Sequence, residues 1–190
     1  SYSIDIYRRK IQPCTSMLDF SLFVTFFPQL VAGPVMRASQ LLPQIQANRT
    51  ATRAQVRSGV ELFGVGLIKK VVIADNLAMV ADACFADPGS YTSGSLMVAM
   101  FAFLGQIYCD FSGYTDLAIA VAGMLGYRLL ANFDFPYLSP DIRDFWRRWH
   151  ISLSTWLRDY LYISLGGNRR GSARTYANLI ATMVLGGLWH

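Results

Sequence analysis

Two histidines are the residues whose types and settings point most directly to chemistry. His150 stands inside FWRRWHISLSTWLRDY, residues 145–160, and His190 closes the apolar stretch NLIATMVLGGLWH. Each follows a Trp, and the sequence has no other His. Burial away from carboxylates lowers the pKa of a His below its usual value near 6.5 and keeps the imidazole neutral. A neutral imidazole can take a proton from a hydroxyl group that attacks a carbonyl, which typically contributes ~10²- to 10⁴-fold to a rate.

The segment around His150 has the pattern of an amphipathic helix. At about 100° per residue, residues 145–160 place their aromatic and Leu side chains, with His150, in one sector roughly 140° wide. Arg147, Arg148 and Arg158 fall on the opposite side. The pattern predicts one continuous helix at a boundary between water and an apolar phase.

The composition favours a membrane protein. Hydrophobic residues make up 53% of the 190 residues and charged residues only 15%, against roughly 25% in soluble domains. Residues 143–174 carry seven basic and two acidic residues and so account for the whole net charge of +5. Because this charge is local and lies among Trp, Tyr and Leu, it indicates lipid headgroups or an anionic ligand and argues against nucleic acid. Three Cys at irregular spacing predict neither a disulfide framework nor a metal site.

Three apolar regions precede the His150 segment. Residues 19–35 are a candidate span that Pro28, Gly33 and Pro34 interrupt, so this stretch enters the membrane obliquely or is re-entrant. Residues 56–84 read as a helix whose Lys and Asp side chains must face protein or water. Residues 94–127 form the longest apolar region, and DFSGYTD at 110–116 predicts a break in its middle that lines a cavity.

Two further features complete the pattern. From Tyr176 the last apolar run gives about 22 Å of helix, which places His190 deep below the surface. Gly186 and Gly187 let another backbone or a substrate approach the end of this run. GGNRRG, residues 166–171, lacks the spacing of a phosphate-binding loop and is a basic loop of the positive-inside kind.

Several motifs, taken in order, resemble the membrane-bound O-acyltransferase family. They are SIDIYRR, FFPQLVAGPVMR, KKVVIADN, YCDFSGYTDLAIAVAGMLGY, NFDFPYLSPDIRDFWRRWHISLSTWLRDYLYISLGGNRRG and LGGLWH. The resemblance is greatest to the bacterial branch that acetylates alginate, and the branch that transfers D-alanine to teichoic acid is related. It implies an all-α, polytopic membrane bundle in which amphipathic and re-entrant helices surround a central tunnel. Residues 1–190 would form a single membrane domain, with the family's N-terminal helices and the region after the last His lying outside them.

The resemblance also implies roles for the two histidines. His190 in LGGLWH matches the family's essential catalytic histidine, and His150 in RRWHISLSTW matches its second characteristic polar position. We expect His190 to act as general base and His150 to orient or polarise a reacting group. Because no Ser or Cys stands out as a nucleophile, we expect direct transfer from an acyl thioester, such as acetyl-CoA, with no bound cofactor.

Six other residues are candidates for substrate binding. Asp110, Tyr114 and Asp116 would line the tunnel and hold the acceptor, although Asp110 and Asp116 can equally cap helix termini. Trp146 would contact substrate or belong to an interfacial belt. Arg147 and Arg148 would meet donor phosphates or anionic lipid.

Two classes of function remain open on the sequence. The first is an acyltransferase in the bacterial inner membrane that acetylates an exported polysaccharide such as alginate, with D-alanyl transfer to a cell-envelope polymer as a variant. It would work with membrane lipids and with periplasmic acetylation or export proteins. The second is a non-enzymatic membrane channel or scaffold on which an acyl carrier docks.

Overall fold

The structure is a computed structural model that describes residues 1–30, 32–47 and 49–190. Within these ranges the chain forms helices and no strands, which confirms the prediction of an all-α fold. The α-helices are α1 Tyr2–Tyr7, α2 Met17–Val24, α3 Phe27–Leu30, α4 Ala38–Gln46, α5 Arg53–Leu67, α6 Asp75–Ala86, α7 Ser93–Met124, α8 Ile142–Arg148, α9 Ile151–Leu157 and α10 Gly171–Trp189. Two π-helical segments, Ile68–Ala74 and Arg158–Tyr162, continue α5 and α9.

Helix α7 is the long element against which α5 and α6 pack. Its 32 residues extend about 48 Å, and it is the one helix in the described ranges that is long and apolar enough to cross a membrane. It crosses α5 at two glycines. A Cβ added to Gly66 or to Gly113 would lie 2.9 Å from the carbonyl oxygen of the other, so both positions must remain glycine for the backbones to meet.

The predicted break at residues 110–116 is wrong, because α7 runs through them without interruption. Asp110 and Asp116 therefore cap no helix terminus. Lys70 pairs with Asp110, and Lys69 Nζ lies 2.7 Å from Asp116 Oδ2. Since cations on the neighbouring helix neutralise the two carboxylates, the polar segment can stay helical.

The predicted single helix over residues 145–160 is also wrong. Helix α8 ends at Arg148, His150 adopts the left-handed conformation with φ 44° and ψ 53°, and α9 begins at Ile151. The loop that precedes α8 explains the interruption. Asp134 N donates to the carbonyl of Arg148 at 3.0 Å, and Ile151 N donates to the carbonyl of Asn132 at 2.9 Å. The Arg148 carbonyl and the Ile151 amide would bond within the helix if it were continuous, and here they bond to the loop instead.

The interrupted apolar stretch at residues 19–35 does not form one span. It folds as the short helices α2 and α3, and its residue Val31 lies outside the described residues. Phe23 and Phe26 pack with Leu41, Leu42 and Ile45 of α4 in a buried cluster. This N-terminal layer is joined to the π-helical segment after α9 by an ion pair between Arg37 and Asp159, with Nη2 and Oδ2 2.7 Å apart.

Candidate active site

His150 occupies the junction between α8 and α9 in a strained conformation. A residue other than Gly in the left-handed region carries a cost of about 1–3 kcal/mol, and such strain persists only where surrounding contacts hold it. The contacts come largely from Asn132, which precedes His150 by eighteen residues and is almost fully buried. Sites of this kind are concentrated where function needs a fixed side-chain direction.

The side chain of Asn132 fixes the tautomer of the His150 ring. Asn132 Oδ1 accepts from Ser152 N at 3.1 Å and from Ser152 Oγ at 2.9 Å. Because a backbone N–H can only donate, the amide atom that faces it must be the oxygen. His150 Nδ1 lies 3.1 Å from the same oxygen and must therefore donate to it. The proton of neutral His150 is on Nδ1, and Nε2 carries the free lone pair.

The surroundings of His150 keep its ring uncharged. Phe111 of α7 meets the imidazole edge to face, with ring centroids 4.7 Å apart and planes at 88°. Burial lowers the pKa of His150 to about 4, and the positive charge that His190 can carry lowers the pKa further. Nε2 of His150 is consequently available as a hydrogen-bond acceptor at neutral pH.

Ser152 connects this centre to the N-terminal layer. Its hydroxyl donates to Asn132 and accepts from Val35 N at 2.9 Å. Ser152 is buried, so both bonds are shielded from water. The start of α9 is thus held from two directions, which limits the rotation of the His150 backbone.

His190 follows the C-terminal end of α10, where its side chain is exposed among the described residues, and its charge acts on the pKa of His150. The structure therefore does not show the burial expected for this imidazole. Helix α10 approaches α9 at Gly186, where an added Cβ would lie 3.2 Å from Leu157 Cδ1. Trp189 stacks on Trp156 of α9, with ring centroids 6.4 Å apart and planes at 16°. The predicted approach of another backbone is not found among the described residues, because Gly186 meets only the Leu157 side chain and a Cβ on Gly187 meets no atom within 4 Å.

The predicted substrate residues on α8 occupy two different environments. Trp146 and Arg147 are exposed. Arg148 instead turns inward, with Nε 2.6 Å from Asp144 Oδ2 and Nη1 3.9 Å from Asp134 Oδ2. Arg148 therefore stabilises the loop and helix before His150, and Arg147 keeps its guanidinium towards the surface.

The three predicted substrate residues on α7 do not all line the same cavity. Asp116 lines a cavity of about 130 Å³ between α7 and residues 131–135, whereas Asp110 and Tyr114 do not. Ser112 and Thr115 also line this cavity and belong to the DFSGYTD segment that was predicted to form a cavity wall. Sequence reasoning missed the other polar lining residues, which are Lys69, Tyr108 and Asn132. No spacing in the sequence connects Asn132 with His150.

The fold is helical with one helix long and apolar enough to cross a membrane among the described residues, and His150 is a candidate centre for binding a hydroxyl group. Residues 9–190 match the membrane-bound O-acyltransferase family, and the chain belongs to it. The expectation drawn from the sequence motifs is thereby confirmed. Membership of this family also makes the chain a membrane protein.

Relatives from several bacteria cover most or all of this chain. The probable alginate O-acetylase AlgI of Pseudomonas putida is 53% identical over 190 residues, which are 100% of this chain and 39% of that protein. The peptidoglycan O-acetyltransferase of Helicobacter pylori is 45% identical over 175 residues, 91% of this chain and 33% of that protein. The teichoic acid D-alanyltransferase of Streptococcus thermophilus is 30% identical over 187 residues, 90% of this chain and 45% of that protein. This chain spans about two fifths of the length of the alginate relatives.

Proposed function

We propose that the protein is a membrane-embedded O-acyltransferase that moves an acetyl group from a thioester donor to hydroxyl groups of an exported polysaccharide such as alginate. The observation that carries the proposal is a neutral His150, with its Nε2 lone pair free, in the electrostatic neighbourhood of His190. The names of the relatives from Pseudomonas putida and Helicobacter pylori support acetyl transfer to a polysaccharide.

In this proposal His190 is the general base. It takes the proton of the acceptor hydroxyl as the hydroxyl oxygen attacks the thioester carbonyl carbon. The tetrahedral intermediate then expels the thiolate, the carbon–sulfur bond breaks, and the proton passes from His190 to the thiolate. His150 orients the acceptor by receiving a hydrogen bond at Nε2. The Nδ1-protonated tautomer supports this orienting role over polarisation of a carbonyl, because its Nε2 has no proton to donate.

The remaining site residues have supporting roles in the proposal. Asp110, Tyr114 and Asp116 of α7 hold the acceptor, and Trp146 and Arg147 contact the donor, for which acetyl-CoA or another acyl thioester is suited. Arg147 is exposed and can meet donor phosphates or anionic lipid, whereas Arg148 is already paired with Asp144. The bacterial inner membrane and periplasmic acetylation or export proteins complete the proposed setting.

D-alanyl transfer to a cell-envelope polymer is the second candidate. The Streptococcus thermophilus relative supports it, but its identity of 30% is well below the 53% of the alginate relative. The two candidates differ in donor and acceptor and share the base. A non-enzymatic channel or scaffold, in contrast, needs no base.

The test is the variant His190→Ala in the full-length protein assembled with its partners. Because a general base typically contributes ~10²- to 10⁴-fold, acetylated polymer should fall by at least about a hundredfold. Tyr176→Ala, an exposed residue on the same helix, is the matched control and should keep the wild-type level. Wild-type acetylation by His190→Ala would contradict the role of this residue and favour the channel or scaffold.

A further inference from the structure

The cavity between α7 and residues 131–135 contains polar atoms whose hydrogen bonds are not completed by the protein. Among the residues that the structure describes, none bonds to Ser112 Oγ, Thr115 Oγ1 or Asn132 Nδ2. All three residues line this cavity, and they are 2%, 2% and 1% exposed. Buried polar atoms are almost always hydrogen-bonded, because leaving one unpaired costs about 1–3 kcal/mol. Three such atoms around one space indicate a site for a polar ligand.

The donors and charges of the cavity restrict the chemistry of that ligand. Asn132 Nδ2 carries two N–H donors and no acceptor, whereas each hydroxyl can either donate one hydrogen bond or accept through its lone pairs. The Lys69 charge is offset by Asp116, whose Oδ2 lies 2.7 Å from Lys69 Nζ. The site therefore carries little net charge, and Asn132 Nδ2, which can only donate, needs an acceptor atom from the ligand. A neutral group with an acceptor oxygen, such as a carbonyl, fits it better than a carboxylate or an ammonium group.

The size of the cavity also limits which ligands can bind there. Its volume of about 130 Å³ is well below the roughly 300–1,000 Å³ of pockets that hold drug-sized ligands. A group of a few heavy atoms can enter, whereas a sugar with its substituents is too large. Tyr108, Phe133 and Phe135 supply the apolar part of the wall, which suits a methyl group.

We propose that this cavity binds the acetyl group, with its carbonyl oxygen accepting hydrogen bonds from Asn132 Nδ2 and from the hydroxyls of Ser112 and Thr115. This inference rests on the proposed function. Asn132 then serves both substrates, since Oδ1 fixes the acceptor-orienting His150 and Nδ2 contacts the acyl group. The selectivity for a short acyl group follows from the size of the cavity.

The first test is Thr115→Val, which removes the hydroxyl and keeps the shape of the side chain. Because Thr115 Oγ1 has no described protein partner, the thermal stability of the ligand-free protein should be unchanged or raised. Acetyl transfer should fall about tenfold, through KM for the donor or through kcat, with KM for the acceptor unchanged. The matched control is Thr182→Val, a buried threonine on α10 whose hydroxyl donates to Asn178 O at 2.7 Å. It should show no such loss of transfer.

The second test is the double variant Ser112→Gly with Thr115→Ala, which enlarges the cavity. Its preference for propionyl over acetyl thioester should rise at least about tenfold, because one methylene in a fitted pocket is worth about 10- to 200-fold. Measuring the ratio of the two donors removes any effect of partial unfolding. An unchanged ratio, or a loss that appears only in KM for the acceptor, would overturn the assignment of the acetyl group to this cavity.

The two proposals fail in different ways. If the wild-type complex does not transfer acetyl groups from a thioester, the proposed function fails. If the wild-type complex is active and Thr115→Val transfers acetyl groups as well as Thr182→Val does, only the acetyl site fails. In that case the three polar atoms serve bound water.

Discussion

The role of Asn132 can be tested by the substitution Asn132→Asp, which replaces an amide by a carboxylate of the same shape. One carboxylate oxygen can still accept from Ser152 N and from His150 Nδ1, which lie 3.1 Å from Oδ1. The change adds a negative charge in direct hydrogen-bond contact with the imidazole. An opposite charge at this range favours the charged form of a titrating group.

The expected loss of activity at acid pH can be calculated from the pKa of His150, which is about 4 in this environment. A neighbouring carboxylate raises the pKa of a His by about 1–3 units, and direct contact places the effect at about 2–3 units. At pH 5.5 the neutral fraction of His150 would then fall from nearly all to between about a quarter and a thirtieth. Since only the neutral ring offers a lone pair at Nε2, the transfer rate of Asn132→Asp relative to the wild type should be about 4- to 30-fold lower at pH 5.5 than at pH 8.

The assay is acetyl transfer by the full-length complex between pH 5 and 8, with ¹⁵N NMR of labelled imidazole as a direct report of protonation. Asn178→Asp is the matched control, because Asn178 is also buried and donates from Nδ2 to Gly167 O at 2.8 Å, away from His150. It should leave the shape of the pH profile unchanged. A wild-type pH profile and wild-type imidazole signals in Asn132→Asp would refute the hydrogen bond that fixes the tautomer.

Two further predictions concern stability and geometry. Because the folded-state pKa of His150 is depressed from 6.5 to about 4, its contribution to stability is present above pH 6.5 and is lost as the pH falls towards 4. Thermal unfolding curves should therefore show a fall in Tm over this window that is smaller in His150→Gln, and an equal fall in both proteins would contradict the depressed pKa. Gly186→Ala places a methyl group 3.2 Å from Leu157 Cδ1, so that side chain must shift by a few tenths of an ångström, and acetyl transfer should fall about two- to fivefold. Gly187→Ala meets nothing within 4 Å among the described residues and is the control, and equal activity of the two variants would show that the contact does not position His190.

The helical class and the family were predictable because they depend on composition and on local motifs. A chain with 53% hydrophobic and 15% charged residues is expected to bury its apolar surface in a membrane or against other helices. The motifs around His150 and His190 carried the resemblance that the match over residues 9–190 confirms. The helical pattern of residues 56–84 was likewise correct, since α5, the π-helical segment and α6 cover it.

The two wrong predictions of secondary structure concern segments whose local conformational preference is overridden by residues distant in the sequence. The DFSGYTD segment has the composition of a break, but Lys69 and Lys70 of the neighbouring helix neutralise its carboxylates, and α7 continues. The residues around His150 have the periodicity of one helix, but the loop at Asn132 takes over their backbone hydrogen bonds. Local periodicity reports which side chains share a face and carries no information about such partners.

The sequence by itself determined that this is a helical membrane protein with two histidines in apolar settings, because these properties reside in residue types and short motifs. The tertiary structure alone decided the direction and tautomer of His150 and the cavity beside Asn132. Both depend on hydrogen bonds and close contacts between segments that are far apart in the chain. The free lone pair of His150 Nε2 exists because a residue eighteen positions earlier holds the proton on the other nitrogen.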